Sequence, residues 1–393
     1  MNAPLASLLA AAVAVAACSD RSAPAAPPAR AVVSARDAAP ADAAAADADG
    51  RKIVVRSSTR CAECHGKMAG EWKKTPHSRA ATSPLYQKLA AGDAACAGCH
   101  APLAAYLGPD HAAAAEGVTC DVCHSIAAVD LDREPRFTLA VHDMIKYGPL
   151  CDADDHYFHR MGCSPLHEKA ELCGACHQRV VRGPDGPIPV YTTYQEWKDS
   201  PYAGKGYTCQ ACHMPGDRAE VAEGEKARDD VPHHGFFGDG ALRKGAARLD
   251  VMLPMARGGG AVPPPVLVAV ENFAGHDLPS GFPGKRVVLR VVVHGDRGAE
   301  LARAEEIFER RLVDAAGRLV AYPAAVKVAS DNRLRPQDRR ELPLFVGGLP
   351  AGAREVRAEL VWQSIAPELA AELGVPVVEE PIATARRRIG RRR

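Results

Sequence analysis

Five times in 393 residues the sequence writes Cys-x-x-Cys-His: Cys61/Cys64/His65, Cys96/Cys99/His100, Cys120/Cys123/His124, Cys173/Cys176/His177 and Cys209/Cys212/His213. Residue frequencies alone give roughly 0.02 such matches in a chain of this composition, so the repeat is a chemical device. Two thiols three residues apart reach both vinyl groups along one edge of a haem and bind them as thioethers. The histidine that follows is then held over the iron. Zinc also uses paired cysteines, but tetrahedral zinc places no demand for a histidine directly after each pair. Disulfides in an oxidising compartment leave the five histidines unexplained. The spacing therefore predicts five covalently attached haem c groups. Cys151 and Cys163 remain upstream of the fourth unit and are expected to pair as a disulfide.

Ten histidines are left for the opposite faces of the irons: His77, His111, His142, His156, His159, His167, His233, His234, His276 and His294. An iron with a second histidine is six-coordinate and passes electrons without binding substrate. An iron without one keeps a position open to a small molecule. Met144, Met161 and Met214 are alternative ligands, disfavoured by the excess of histidine over methionine.

Covalent haem also explains an oddity of composition. Aromatic residues make up 5% of the chain, and the Cys/His-rich stretch is poor in large apolar side chains. Porphyrins must do there the packing that side chains do elsewhere. The formal net charge of +1 gives no case for nucleic acid. Haem propionates would move the loaded protein to the acidic side.

Residues 1–18, ending PLASLLAAAVAVAAC, are too short and apolar for a membrane span and suit a signal peptide. Val15-Ala16-Ala17-Cys18 is similar to a bacterial lipobox, which would lipidate Cys18 and anchor the chain, although no Lys or Arg precedes the apolar run. An unpaired thiol beside a simple cleavage site is the other reading of Cys18. Residues 19–50 are Ala, Pro, Asp and Ser and are expected as a tether. Residues 51–245 hold the five units, on short helices started at Thr75-Pro76, Ser83-Pro84 and Ser200-Pro201. From 246 to 366 the texture turns to β-branched runs, PPPVLVAVENF, RVVLRVVVH and EVRAELVWQ, with a hairpin turn at Asp314-Ala315-Ala316-Gly317. This predicts an all-β sandwich. Residues 367–393, closing in RRRIGRRR, are expected as a solvated basic tail.

The stretch CAECHGKMAGEWKKTPHSRA, residues 61–80, resembles the opening of multihaem cytochromes c related to cytochrome c554 and hydroxylamine oxidoreductase. EGVTCDVCH, ELCGACHQ and TTYQEWKDSPY with TCQACHMP carry the same resemblance, as does the turn His276-Asp277-Leu278-Pro279-Ser280-Gly281 of relatives with a C-terminal β domain. It spans about residues 58–365. The implied fold is an α plus irregular multihaem cytochrome c domain, with short helices and a haem-packed core, followed by an all-β, immunoglobulin-like sandwich domain. The resemblance implies distal ligands at His77, at His276, at His233 or His234 with His234 preferred, and at His156 in preference to His159. His142 is the expected cap of the remaining haem, with His111 a comparable candidate; His167 and His294 are expected on the surface.

The function expected is electron transfer by an exported pentahaem cytochrome in the periplasm or cell envelope, between periplasmic or membrane redox proteins. The alternative is a multihaem oxidoreductase acting on a small nitrogen or sulfur oxyanion at one five-coordinate haem. A third reading, a β-domain binding module with the haems as sensor, lacks any aromatic platform in the β segment to support it.

Overall fold

The structure, a computed structural model, describes residues 45–46, 49–90, 92–236, 240–253 and 264–390. The expected signal peptide, Cys18 and most of the expected tether lie outside the described residues. No helix among the described residues is long and apolar enough to cross a membrane.

The N-terminal region is a chain of short helices and small two-stranded ladders. Polar caps start its helices: Asp93 accepts from the Ala95 and Cys96 amides ahead of Ala94–His100, Thr119 from Val122 ahead of Cys120–His124, and Ser200 from Tyr202 ahead of Pro201–Gly204. Ser83 precedes Pro84–Leu89 as expected, but its hydroxyl makes no cap bond, and the 3₁₀ turn His77–Arg79 starts from Pro76 rather than Thr75. The apolar cluster of this region is modest, built from Ile53, Leu103, Ala113, Ala114, Val122, Ile126, Leu139 and Val141. Cys151 and Cys163 are disulfide-bonded beside the parallel ladder of Ile145–Gly148 with Arg160–Cys163.

The C-terminal region is β-rich. Its strands are β1 (Ala247–Met252), β2 (Val266–Asn272), β3 (Arg286–His294), β4 (Glu300–Val313), β5 (Lys327–Asp331), β6 (Arg339–Leu344), β7 (Glu355–Gln363) and β8 (Glu379–Arg388). They form a three-stranded sheet, β1-β2-β6, and a five-stranded sheet, β5-β4-β3-β7-β8, antiparallel throughout. Alternation decides the inner face: Val287, Leu289, Val291 and Val293 of β3 share one buried cluster with Val266, Val268 and Val270 of β2 and Val356, Ala358 and Leu360 of β7. Asp314 accepts from the Ala316 and Arg318 amides and closes the expected turn after β4.

The expected tail is a correction. Residues 367–388 continue the β region: a helix, Pro367–Leu373, buries Leu369 and Ala370, and β8 pairs with β7 from Gln363↔Glu379 to Glu355↔Arg388. The charges that mark this segment are the outward half of an alternating edge strand. Its inward half, Ile382, Ala383 and Ala385, packs on the core.

Candidate haem-binding site

In a helical turn, residues i and i+3 share a face, so each Cys-x-x-Cys pair presents two sulfurs together when its segment is helical. Four units do this and place their histidine at the last helical residue: Ala94–His100, Cys120–His124, Ala170–His177 and Cys209–His213. In the first unit, the helix Ser58–Cys61 gives way to a turn and His65 starts the next helix, Gly66–Trp72. None of the ten unit cysteines is in a disulfide.

Three unit histidines are oriented through Nδ1, whose N–H donates to a backbone carbonyl: His65 to Val221 at 2.7 Å, His124 to Tyr147 at 2.6 Å and His100 to Ala80 at 3.2 Å. A carbonyl can only accept, so the proton sits on Nδ1 and the Nε2 lone pair is left for a metal. Burial lowers His100 and favours its neutral, ligating form. It pulls His124 and His177 down to about 3, with help from neighbouring histidines, and His77 to about 4.

The cysteines and histidines of the first four units line one continuous cavity of about 1360 Å³, and Thr208, Gln210, Ala211 and Met214 bring the fifth unit to its wall. Ordinary small-molecule pockets run about 300–1,000 Å³. A hollow of this size, edged by paired thiols and neutral imidazoles, fits several large planar groups fixed at their rims.

A sharper test lies in ring spacing. Two imidazoles sharing one metal through nitrogen have centres about 6.3 Å apart, from two bonds of about 2.0 Å and two ring radii of about 1.1–1.2 Å. His65 faces His159 at 6.2 Å, His177 faces His77 at 6.2 Å, His124 faces His234 at 6.2 Å and His213 faces His276 at 6.4 Å. Nδ1–H of His234 donates to Pro232 and that of His276 to Asp277, so both turn Nε2 toward their partners' side. The ring beside His100 is instead that of Tyr86, nearly parallel at 4.6 Å and too close for a metal between.

The expected residues His77, His234 and His276 are thus each set opposite a unit histidine, His77 across the fold from its own unit. Two expected residues are not. His156 is exposed at the cavity rim and packs on Tyr157 and Phe158 at 4.1 and 5.5 Å, while His159, its partner in a tight backbone bridge, faces His65. A two-residue turn sends its flanking side chains to different surroundings, which a Gly-Pro-to-histidine pattern cannot register. His142 is the second: its Nδ1 bonds to the Lys52 carbonyl at 3.0 Å. Val141 is buried and accepts from the Val54 amide, while His142, beside it in the same turn, is left at the Lys52 carbonyl. His111 caps the helix Ala112–Ala115. His167, expected on the surface, stacks on His124 at 5.7 Å with its Nε2 bonded to the Cys123 carbonyl. His294 bonds outside the site, to Gly298.

Local sequence signatures acquire causes here. In Glu116-Gly117-Val118, the Glu116 carboxylate accepts from the Ser58 amide at the start of the first unit's helix. The Val118 amide donates to the His77 carbonyl, and the Val118 carbonyl accepts from Trp72 Nε1. Gly117, at φ +81°, lets the His77 backbone approach so closely that a Cβ would stand 2.6 Å from its carbonyl oxygen.

Residues that sequence reasoning missed hold the His276 turn. Arg333 is buried and binds Glu196 at 2.7 Å, Asp277 at 2.9 Å, Asp331 at 2.8 Å and the Pro279 carbonyl at 3.2 Å. Glu196 also accepts from Ser280 and Thr192. Asn272 donates to the carbonyls of His276 and Leu334. This joins the helix Thr193–Lys198, between the fourth and fifth units, to the turn that carries His276. Its only trace in sequence was the pairing of TTYQEWKDSPY with HDLPSG in the resemblance.

Comparison with known proteins agrees with this arrangement. Residues 60–125 match the family model of cytochrome c554 and c-prime. The fold is similar to that of a penta-heme cytochrome c552 from Thermochromatium tepidum, with a TM-score of 0.68 and 23% identity over 86% of this chain and 100% of that one. Comparison with curated protein sequences gives no match. With its repeated Cys-x-x-Cys-His units set around one hollow, its family match over residues 60–125 and its fold, the chain is similar to multihaem cytochromes c and carries a β-sheet-rich C-terminal region.

Proposed function

We propose that the chain is an exported pentahaem c-type cytochrome that transfers electrons between periplasmic or membrane redox proteins. The observation that carries this is the set of four histidine pairs at the spacing of two imidazoles on one metal. Haem iron supplies the one-electron chemistry. Cys61/Cys64, Cys96/Cys99, Cys120/Cys123, Cys173/Cys176 and Cys209/Cys212 hold the five groups by thioethers. His65, His100, His124, His177 and His213 bind one side of each iron, and His159, His234, His77 and His276 close the other side of four. These four pairs keep small molecules off the metal and change little between oxidation states, which suits transfer without chemistry. The β region works as a lid that supplies His276. Its strand order, with three strands against five, supports an immunoglobulin-like sandwich of the variable type lacking one strand.

A second reading is favoured by one observation: the ring stacked on His100 is that of Tyr86 and not of a histidine. An iron held there by His100 alone has a position open for reaction with a small nitrogen or sulfur oxyanion. The testing experiment is haem stoichiometry with electron paramagnetic resonance of the oxidised protein. Five haems, four low-spin and one high-spin, are expected. Five low-spin haems would remove the second reading, and fewer than four low-spin haems would overturn the pairing.

A further inference from the structure

Lys285 is a deep-set cation that none of these roles uses. It follows the turn from Phe282 and lines the large cavity with that residue. Its ammonium lies 5.9 Å from the centre of the Trp362 ring, which also carries the Arg243 guanidinium at 4.8 Å. Glu380 neutralises Arg243 at 2.6 Å. Among the described residues nothing does the same for Lys285, whose side chain makes no hydrogen bond or ion pair. Gly281, at φ +88°, packs on the ammonium; a Cβ there would sit 3.0 Å from Nζ.

A charge enclosed this way is costly unless a counter-charge arrives. Burial, with the Arg243 charge, lowers the ammonium to about 8. The counter-charge must come from what fills the cavity. Lys285 and His177 line the same cavity, and the Lys285 charge helps lower the His177 imidazole. Both sides of the His177 metal position are taken, by His177 and by His77 at 6.2 Å, so an ammonium at that group meets its periphery and not its iron. The carboxylates of that periphery are the two propionates that every haem c carries.

We infer that Lys285 is the binding site for a propionate carboxylate of the haem attached at Cys173 and Cys176. The pairing rests on the proposed haem loading, deepens it by naming a contact, and sets that haem's potential. A buried cation beside the porphyrin favours the reduced state, which carries one more negative charge.

The test is a spectroelectrochemical titration of full-length holoprotein, wild type against Lys285→Met and Lys285→Arg. Haem content is measured first, and a wild-type value below five would overturn the loading itself rather than this contact. In Lys285→Met, one-fifth of the haem absorbance change is expected to move to lower potential by a tenfold change in the one-electron equilibrium, about 59 mV. Its low-spin bands should stay unchanged, and Lys285→Arg should titrate as wild type. An unshifted titration in Lys285→Met would overturn the inference. So would a new high-spin signal in either variant, which would make Lys285 an iron ligand. If Lys285→Met loses haem, Lys285→Gln replaces it, with the same two outcomes.

Discussion

Arg333→Met removes the cation at the centre of the joint between the two regions. The side chains of Arg333, Glu196 and Asp277 are 5%, 7% and 15% exposed, so solvent cannot replace what is lost. Glu196 keeps Arg310 only at 3.9 Å, and Asp277 keeps no cation among the ion pairs of the described residues. Deleting one partner of a buried ionic cluster costs about 3–5 kcal/mol, since the carboxylates are left facing each other in low dielectric. For a region of this size that corresponds to a fall in melting temperature of roughly 10 °C. Far-UV circular dichroism during heating reads the fall. Because Asp277 and Pro279 belong to the His276 turn, the low-spin signal of the His213 iron should become heterogeneous below the melting point. Arg333→Lys keeps charge without the planar fork and should fall between wild type and Arg333→Met. A loss under about 1 kcal/mol with an unchanged low-spin signal would refute the idea that this cluster holds the turn.

His276→Ala should convert one low-spin haem to high spin, whereas His142→Ala and His156→Ala should convert none; electron paramagnetic resonance of the three variants decides between these assignments. Gly117→Ala forces a side chain into a left-handed backbone and against the His77 carbonyl, at a cost of about 2 kcal/mol or more. It should lower the melting temperature and broaden the signal of the His77–His177 iron; an unchanged variant would mean the close approach is unimportant. Burial pushes the Asp331 carboxyl up, but hydrogen bonds and charge from Arg333 and charge from Arg310 outweigh it and hold the group at about 2. Its folded value lies below its unfolded one of about 3.9, so its contribution is present above pH 4 and lost as pH falls toward 2. Asp331→Asn should flatten that part of the acid-unfolding curve, by about 1 kcal/mol after allowing for its partial exposure.

The near side of the irons was legible in the sequence because thioether chemistry demands cysteines and histidine in a fixed local order. In the proposed arrangement their far side is closed by residues that meet the units only through space. His77 and His276 could be named since each lies in a recognisable local pattern. His159 could not be told from His156, because a tight bridge three residues long decides which ring turns inward. His142 looked available until a turn buried Val141 and left the neighbouring imidazole at the Lys52 carbonyl. In the β region, RVVLRVVVH and EVRAELVWQ announced themselves by alternation. β8 did not, since Arg386, Arg387 and Arg388 outweigh Ile382 and Ala385 in any reading by composition. Arg333 was hidden for another reason: nothing in a sequence separates a buried arginine from the many exposed ones.

The decisive measurement is the absorption spectrum of the reduced protein with and without carbon monoxide. Four histidine pairs, with Tyr86 rather than a histidine beside His100, predict a shift in one-fifth of the haem signal. A shift in no haem, or in more than one, would contradict the arrangement described.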